Sequence, residues 1–172
     1  MERFWLEQYP PGVPADIDVN EYASVREVFE EACRTHSTRP AFTCMGRSIT
    51  FGDLDALSAT FDAWLQGIGG QRGTRVALMM PNNLQYPICL FGTLRAGCTV
   101  VNVNPLYTAR ELEHQLADSG AEVIVVVENF ANTLQQVVGR TQLRQTAETS
   151  VGEMLAIKGR IVDLVLRRVR HA

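Results

Sequence analysis

Three short runs of hydrophobic residues divide the middle of the chain, and stretches with a helical pattern separate them. The runs cover residues 76–80, 99–103 and 123–127. Parallel strands that are covered on both faces are hydrophobic throughout, and a helix usually connects two such strands. The pattern therefore predicts an α/β fold, in which residues 74–140 form a βαβαβα unit with a doubly wound, mostly parallel sheet and flanking helices.

Capping residues mark where the helices of that unit begin. Asn82 or Asn83 can start the first crossover helix. The capping pattern from Thr108 to Glu111 starts the second. A third helical stretch is predicted over residues 130–138, after the last hydrophobic run.

Residues 1–73 are predicted to form a lead-in with two helices and a short hairpin. Capping patterns that begin at Ser24 and Thr50 start the two helices. Each helix should bury one hydrophobic stripe: Val25, Val28, Phe29 and Ala32 in the first, and Leu54, Leu57, Phe61 and Leu65 in the second. Two strands, residues 41–45 and 48–50, are expected to pair across Gly46 and Arg47.

The last segment, residues 141–172, has a different pattern. Residues 141–155 are polar, and hydrophobic residues then recur with a helical period between basic ones. Residues 157–172 carry a net charge of +4, whereas the rest of the chain carries −7. A basic amphipathic helix of this kind lies on an anionic membrane or packs on another part of the protein. Packing is the favoured interpretation.

Composition and charge exclude several classes of protein. Hydrophobic residues make up 46% and charged residues 20%, which is typical of soluble globular proteins and excludes disorder. The net charge of −3 gives no reason to expect nucleic-acid binding. No hydrophobic run approaches the roughly 18 residues of a membrane span. The four cysteines, Cys33, Cys44, Cys89 and Cys98, show neither disulfide nor metal-ligand spacing. We therefore expect a cytoplasmic protein with free thiols.

The glycine-rich segment at residues 67–73 is the first candidate for ligand chemistry. A dinucleotide-binding loop follows a strand, and a phosphate-binding loop has a lysine beside serine or threonine. This segment follows a predicted helix and contains no lysine. We therefore expect a helix end and a turn.

The titratable residues offer no assembled catalytic group. The histidines, His36, His114 and His171, have no nucleophile placed beside them by the sequence. The acidic pairs are expected on solvated helix faces: Glu30 with Glu31, Asp53 with Asp55, and Glu111 with Glu113. The turn at residues 102–105 follows a strand at the edge where open sheets bind ligands, although a plain turn is the favoured interpretation. Spacing alone thus assigns no catalytic, cofactor-binding or metal-binding residue.

Several segments resemble the adenylate-forming superfamily, and most closely its bacterial long-chain fatty acid–CoA ligases. Residues 49–54 (ITFGDL) are similar to the first core motif of the superfamily, and residues 94–105 (LRAGCTVVNVNP) to the second. Further stretches resemble the fatty acyl branch, namely residues 76–82 (VALMMPN), 84–87 (LQYP) and 104–116 (NPLYTARELEHQL). The resemblance implies the N-terminal portion of the acyl-adenylate synthetase fold, with an incomplete sheet.

This resemblance implies a ligase that converts ATP, a fatty acid and CoA to acyl-CoA, AMP and pyrophosphate through an acyl-adenylate, with Mg²⁺ as the metal. The phosphate-binding loop of the family has no counterpart here, and Lys158, the only lysine, lies outside the family's catalytic context. No site residue is therefore carried over, and the isolated chain is expected to be inactive. The implied location is the cytoplasm, with peripheral contact at the inner face of the membrane left open.

One departure from the resemblance concerns residues 144–148 (RQTAE), where relatives have a hydrophobic strand. A weakened or lost strand, a frameshift-like scar and a degenerate gene all remain open. Two alternative functions follow. The first is a non-catalytic module whose exposed sheet edge binds a full-length ligase, or a second copy in a homodimer, or whose basic tail binds a membrane. The second, an independent flavodoxin-like nucleotide binder, is disfavoured because residues 81–83 (PNN) replace the phosphate loop.

Overall fold

Two layers of helices enclose a parallel sheet in a computed structural model that describes residues 3–155, 159–160 and 162–163. The strands are β1 (Pro40–Cys44), β2 (Arg47–Thr50), β3 (Arg75–Met79), β4 (Thr99–Val103), β5 (Val123–Val127) and β6 (Gln145–Thr149). The helices are α1 (Val25–His36), α2 (Phe51–Gly67), α3 (Gln85–Arg95), α4 (Ala109–Ser119) and α5 (Ala131–Gln135). Short 3₁₀ turns lie between some of these elements.

The sheet has the order β4-β3-β5-β6, and all its neighbouring strands are parallel. The chain steps from β3 to β4 on one side, and then crosses back over β3 to reach β5 on the other side. Because parallel crossovers are right-handed, this reversal sends α3 and α4 to opposite faces. The predicted α/β fold with a doubly wound parallel sheet and flanking helices is confirmed.

The strand residues alternate between two hydrophobic cores. Ala77, Met79, Ile124 and Val126 face α4 and α5, where Leu112, Leu116, Leu134 and Val137 complete the first core. Val76, Leu78, Val123 and Val125 face the other way, towards Leu65 of α2 and Cys89 of α3. β5 is buried along its whole length, which explains its unbroken run of valine and isoleucine.

The lead-in packs against the sheet unit through α2, which contacts both the sheet and α3. These helices approach closely where Gly92 faces α2, because a Cβ at this glycine would lie 2.7 Å from the Ser58 carbonyl oxygen. Ser58 is fully buried there, although the sequence pattern did not place it in the core. α1 and the β1–β2 hairpin form a third core on the outer side, centred on Phe29, Ile49 and Leu54.

Two predictions for the lead-in were wrong in detail. Val25 and Val28 of α1 are 65% and 44% exposed, whereas Cys33 is buried together with Phe29. The hairpin turn lies at Met45 and Gly46, both with positive φ, and Arg47 belongs to β2. Val25 and Val28 stay in solvent because α1 contacts its neighbours only through a narrow stripe that does not include its first turn.

The predicted caps form in full at the starts of α2 and α4, and the starts of α1 and α3 differ in detail. The hydroxyls of Thr50 and Thr108 each accept a hydrogen bond from the backbone amide three residues later. The carboxylates of Asp53 and Glu111 accept one in turn from the backbone amide of the capping threonine. Ser24 accepts from the Glu27 amide, but the Glu27 carboxylate bonds the amide of Ala23 instead of closing the box. At α3, Leu84 and not Asn82 or Asn83 occupies the N-cap position, and the helix begins at Gln85, although Asn83 still accepts from the Tyr86 amide at 3.1 Å.

Strand β6 excludes a lost strand at residues 144–148, which was one of the alternatives left open by the sequence. Gln145–Thr149 pairs with Val123–Val127 of β5 along its full length. Hydrogen bonds between residues that are distant in sequence stabilise both ends of β6. Arg144 donates to the carbonyls of Ile68 and Gly69 at 2.7 and 3.1 Å, and Gln85 donates to the Ser150 carbonyl at 2.7 Å. A polar strand is thus stabilised by pairing and end contacts instead of hydrophobic residues.

Two further expectations concern the end of the chain. The helical stretch predicted over residues 130–138 is shorter, because α5 covers Ala131–Gln135 and a 3₁₀ turn follows at Val138–Arg140. The basic amphipathic helix predicted over residues 157–172 lies mostly outside the described residues. Within the described part of the chain, no helix combines the length and the hydrophobicity needed to cross a bilayer.

Candidate functional site

The carboxyl ends of the parallel strands meet at one edge of the sheet, which we call the carboxyl edge. It comprises the residues that follow the strands: 80–83 after β3, 104–105 after β4, 128–129 after β5, and 150 after β6. Strands β3 and β5 are neighbours, and their following connections leave in opposite directions. Ligands of open α/β sheets bind in the crevice at such a switch point. The carboxyl edge is therefore the candidate site.

A hydrogen-bond network fixes the end of β4 at this edge. The Tyr86 hydroxyl donates to Asn102 Oδ1 at 2.9 Å, and Gln115 Nε2 donates to the Asn102 carbonyl at 2.9 Å. Asn104 Oδ1 accepts from the Leu106 amide at 3.0 Å, which makes a tight turn ahead of α4. The turn at residues 102–105 therefore has its polar groups engaged within the protein, in agreement with the plain-turn interpretation.

A second network joins the end of β6 to the start of α3. Gln85 Nε2 donates to Thr149 Oγ1 at 3.3 Å as well as to the Ser150 carbonyl. The Asp163 carboxylate accepts from Ser150 Oγ and from the Gly152 amide, both at 2.8 Å. Thr149 Oγ1 also donates to the Glu153 carboxylate. Asp163 thus holds the segment after β6 in a closed turn.

Two buried polar atoms near the start of α3 have no partner within the described residues. They are Asn83 Nδ2, a donor, and Gln85 Oε1, an acceptor, and both residues are 7% exposed. Buried polar groups are nearly always hydrogen-bonded, so these two atoms are exceptions among the described residues. Neither has the accessible surface that direct contact with a ligand requires.

The acidic pairs flagged by the sequence are engaged in helix caps and ion pairs. Asp55 pairs with Arg95, and Glu113 pairs with Arg140 at 2.8 Å. Bonds from the backbone amide and then the hydroxyl of Thr108 lower the pKa of Glu111, and the bond from Arg140 lowers the pKa of Glu113. Charged carboxylates stabilised in this way act as structural partners, and no pair is arranged for acid–base catalysis.

The histidines and the glycine-rich segment also take structural positions. His114 is exposed on α4, and His36 packs near the Phe51 ring, with 6.0 Å between the ring centroids. His171 lies outside the described residues. The glycine-rich segment ends α2, where the Gly70 amide bonds the Leu65 carbonyl at 2.8 Å, and then leads into β3. It is the expected helix end and turn.

Three of the four cysteines are buried, and burial raises their pKa. The pKa of Cys33 rises to about 11 and that of Cys89 to about 12, and the pKa of Cys98 is also raised. Cys44 is half-buried, and its thiol lies 3.7 Å from the Asn82 carbonyl oxygen. The expectation of free and mostly buried thiols is confirmed.

Taken together, the carboxyl edge can accept and donate hydrogen bonds, but the described residues assemble no triad there. No cluster of metal-ligating side chains occurs within the same described part. Sequence patterns missed the roles of Tyr86, Gln85 and Gln115, because their partners lie 13 to 65 positions away. The sequence feature that could have predicted these roles is the presence of long polar side chains close to the predicted strand ends.

Comparison with known proteins identifies the family. The sequence model of the AMP-binding enzyme family matches residues 29–164. The long-chain-fatty-acid–CoA ligase of Yersinia pestis is 55% identical over 99% of this chain. Ligases of the same name from Salmonella typhimurium and Haemophilus influenzae are 51% and 50% identical over the same share. The chain spans 31% of the length of each of these relatives.

Solved structures share the fold. A long-chain-fatty-acid-CoA ligase from Archaeoglobus fulgidus superimposes with a TM-score of 0.72 at 22% identity, over 86% of this chain and 32% of that one. An anthranilate CoA ligase in complex with anthranoyl-AMP gives a TM-score of 0.71, also at 22% identity, over 74% of this chain and 25% of the other. The family model matches residues 29–164, which is most of this chain. The chain therefore belongs to the family of AMP-binding enzymes.

Proposed function

We propose that this chain forms the N-terminal part of a long-chain fatty acid–CoA ligase. The observation that carries the proposal is the identity of 49% to 55% with five enterobacterial ligases of that name across 99% of the chain. The aligned region includes the polar segment around β6. This supports the view that β6 belongs to the same sheet architecture as in these relatives. Because the chain spans 31% of those relatives, the activity of the whole protein is part of the proposal.

In the proposed enzyme, ATP with Mg²⁺ activates the fatty acid carboxylate as an acyl-adenylate, and pyrophosphate leaves. The thiol of CoA then attacks the acyl carbon and displaces AMP. Such reactions depend on cationic groups that stabilise the charge on the phosphates. Because the phosphate-binding loop that the family resemblance implies has no counterpart in these residues, we assign these groups to the part of the enzyme beyond the matched region.

The role that we propose for this chain is to supply the sheet and its helical layers. The carboxyl edge holds most of its polar groups in internal networks, which supports a scaffold role over direct chemistry. The isolated chain should therefore form no acyl-adenylate.

A chimera tests the proposed function. Residues 1–172 would replace the matched segment of the Salmonella typhimurium ligase, and palmitoyl-CoA formation would be measured with ATP, Mg²⁺ and CoA. The chimera should form palmitoyl-CoA, whereas the isolated chain should release no pyrophosphate from ATP and palmitate. Pyrophosphate release by the isolated chain would contradict the assignment of the catalytic groups to the rest of the enzyme.

Peripheral membrane contact is a second element of the proposal, with the cytoplasm as the compartment. The net charge of +4 over residues 157–172 supports it, because basic segments with interspersed hydrophobic residues bind anionic lipid surfaces. The chain should sediment with anionic phosphatidylserine vesicles at low salt and be released at high salt. Equal binding to neutral phosphatidylcholine vesicles, or no binding at low salt, would contradict electrostatic contact.

A further inference from the structure

Helix α1 exposes a hydrophobic stripe that its sequence pattern predicts to be buried. Val25 and Val28 are 65% and 44% exposed, and Tyr22, just before the helix, is 36% exposed. Val25 and Val28 are three residues apart, so they lie on the same side of the helix. An amphipathic helix normally buries such a stripe against a partner. The described residues leave this stripe open to solvent.

Acidic side chains border the exposed stripe. Glu27 and Glu31 are one helical turn apart, and both are exposed. The negative charges of Glu31 and then Glu21 raise the pKa of Tyr22, so this ring lies beside the same acidic groups. Residues 21–31 contain four glutamates and one arginine, which gives a net charge of −3. We call this surface the acidic face of α1, and it comprises Tyr22, Val25, Glu27, Val28 and Glu31.

The charge and hydrophobicity of the acidic face determine which partner fits it. A negatively charged surface repels anionic lipid and nucleic acid, whereas a basic amphipathic helix complements both its charge and its hydrophobic stripe. Residues 164–172, which we call the basic segment, carry three arginines and no acidic residue, a net charge of +3. Their hydrophobic residues are mainly leucine and valine. The basic segment therefore has the composition that the acidic face requires.

The basic segment begins within reach of α1. Asp163, directly before it, accepts from the Ser150 hydroxyl at 2.8 Å, and Gln85 of α3 donates to the Ser150 carbonyl at 2.7 Å. Six residues further along α3, a rise of about 9 Å, Phe91 stacks on Phe29 of α1 with 3.9 Å between the ring centroids. Nine residues span about 14 Å as a helix and up to about 30 Å when extended. This length is enough to reach the acidic face.

We propose that the basic segment, residues 164–172, binds the acidic face of α1 in the same chain. Its hydrophobic side chains lie against Val25 and Val28, and its arginines face Glu21 and Glu31. The contact removes an exposed hydrophobic stripe from water and brings opposite charges together. It is separate from the ligase reaction and from lipid binding, so its failure would leave both of those proposals unaffected.

Amide hydrogen exchange of the whole 172-residue chain tests the contact. Arg167→Glu with Arg168→Glu reverses two charges of the basic segment, and exchange across residues 22–31 should become about tenfold faster. Arg72→Glu with Arg110→Glu makes the same charge change at two exposed arginines elsewhere and should leave that exchange unaltered. Equal exchange across residues 22–31 in the two double variants would overturn the proposal.

A charge swap tests whether the two surfaces contact each other. Glu21→Lys with Glu31→Lys places positive charge on the acidic face, and alone it should also accelerate exchange across residues 22–31. Combined with the two reversed arginines of the basic segment, it should restore most of the protection, because opposite charges then face each other again. Glu27 is left unchanged because its carboxylate accepts from the Ala23 amide at 2.6 Å. No recovery in the combined variant would contradict the contact.

Chain concentration distinguishes the same chain from a second copy as the source of the basic segment. Protection across residues 22–31 should be equal at about 2 and about 50 µM, because an intramolecular contact does not depend on concentration. Protection that falls on dilution would assign the segment to a second copy and overturn the proposal. If the variants fail to fold, salt decides on the unmodified chain. Exchange across residues 22–31 should accelerate at least about threefold between about 0.05 and 1 M NaCl relative to β5, and an unchanged ratio would overturn the proposal.

Discussion

At the residue scale, Arg144 shows how one polar side chain replaces hydrophobic burial. Its guanidinium donates to two carbonyls at the end of α2, and its Nε lies 3.2 Å from Glu122 Oε2. The carbonyls at a helix C-terminus carry partial negative charge, so a guanidinium placed there is favourable. The Arg144 amide also bonds the Glu122 carbonyl at 2.8 Å, so this residue fixes the first step of β6.

Replacing Arg144 with alanine should therefore loosen β6 selectively. We expect amide hydrogen exchange in Gln145–Thr149 to become about tenfold faster, since charged hydrogen bonds contribute about 1.5–3 kcal/mol and partial exposure reduces that value. Exchange in β5 should change little. Arg140→Ala is the control, because its ion pair with Glu113 is exposed to solvent and such pairs contribute little to stability. Unchanged exchange in β6 would show that strand pairing alone holds it.

The cysteines are a second example at the residue scale, because burial determines how reactive each thiol is. Burial raises the pKa of three cysteines, so their thiolate fraction near neutral pH is low, and their sulfur atoms are also inaccessible. Cys44 is the half-buried member of the four.

At the element scale, the helix starts couple stability to pH. Bonds from the backbone amide and then the hydroxyl of Thr50 lower the pKa of Asp53, and the corresponding groups of Thr108 lower that of Glu111. A folded-state pKa below the unfolded value adds stability above the unfolded pKa, and this stability is lost as the pH falls through the folded value. The capping boxes should therefore weaken only in acid.

The variant Glu111→Gln tests this coupling at α4. Amide exchange in the first turn of α4 should increase as the pH falls from about 6 to about 3, after correction for intrinsic rates, and the variant should flatten that increase. Thr108→Ser retains the hydroxyl and should behave like the unmodified chain, whereas Thr108→Ala should cost about 1 kcal/mol at every pH. An unchanged pH response in Glu111→Gln would contradict the account.

The elements also show what the sequence could and could not predict. β4 and β5 were predicted with their bounds, because buried parallel strands carry unbroken hydrophobic runs. β6 was not, because its stability comes from β5, Arg144 and Gln85, which no local pattern reveals. The carboxyl edge followed from strand order, but the unpaired atom of Asn83 required the packed structure. The division at residues 73 and 140 stays a prediction.

At the scale of the whole molecule, both outer strands of the described sheet, β4 and β6, have a free edge. Large hydrophobic side chains are also exposed, including Phe4, Ile17 and Leu106 at 74%, 82% and 80%. Free strand edges and exposed hydrophobic groups favour association between chains. The proposed ligase would cover part of this surface with its remaining residues.

The isolated chain is therefore predicted to self-associate. Sedimentation velocity should show species larger than a 19.1 kDa monomer that increase with concentration. The chimera with the Salmonella typhimurium ligase should lack this behaviour if the grafted surface is covered by the rest of the enzyme. A monomeric chain with one sharp, cooperative unfolding transition would contradict the prediction.

Steady-state kinetics of the chimera test the central claim most directly. If residues 1–172 form the N-terminal part of a long-chain fatty acid–CoA ligase, kcat/KM for palmitate should remain within about tenfold of the parent enzyme, because a graft that keeps the scaffold costs little transition-state stabilisation. A chimera that folds with native-like circular dichroism but loses more than about a thousandfold in kcat/KM would contradict the account.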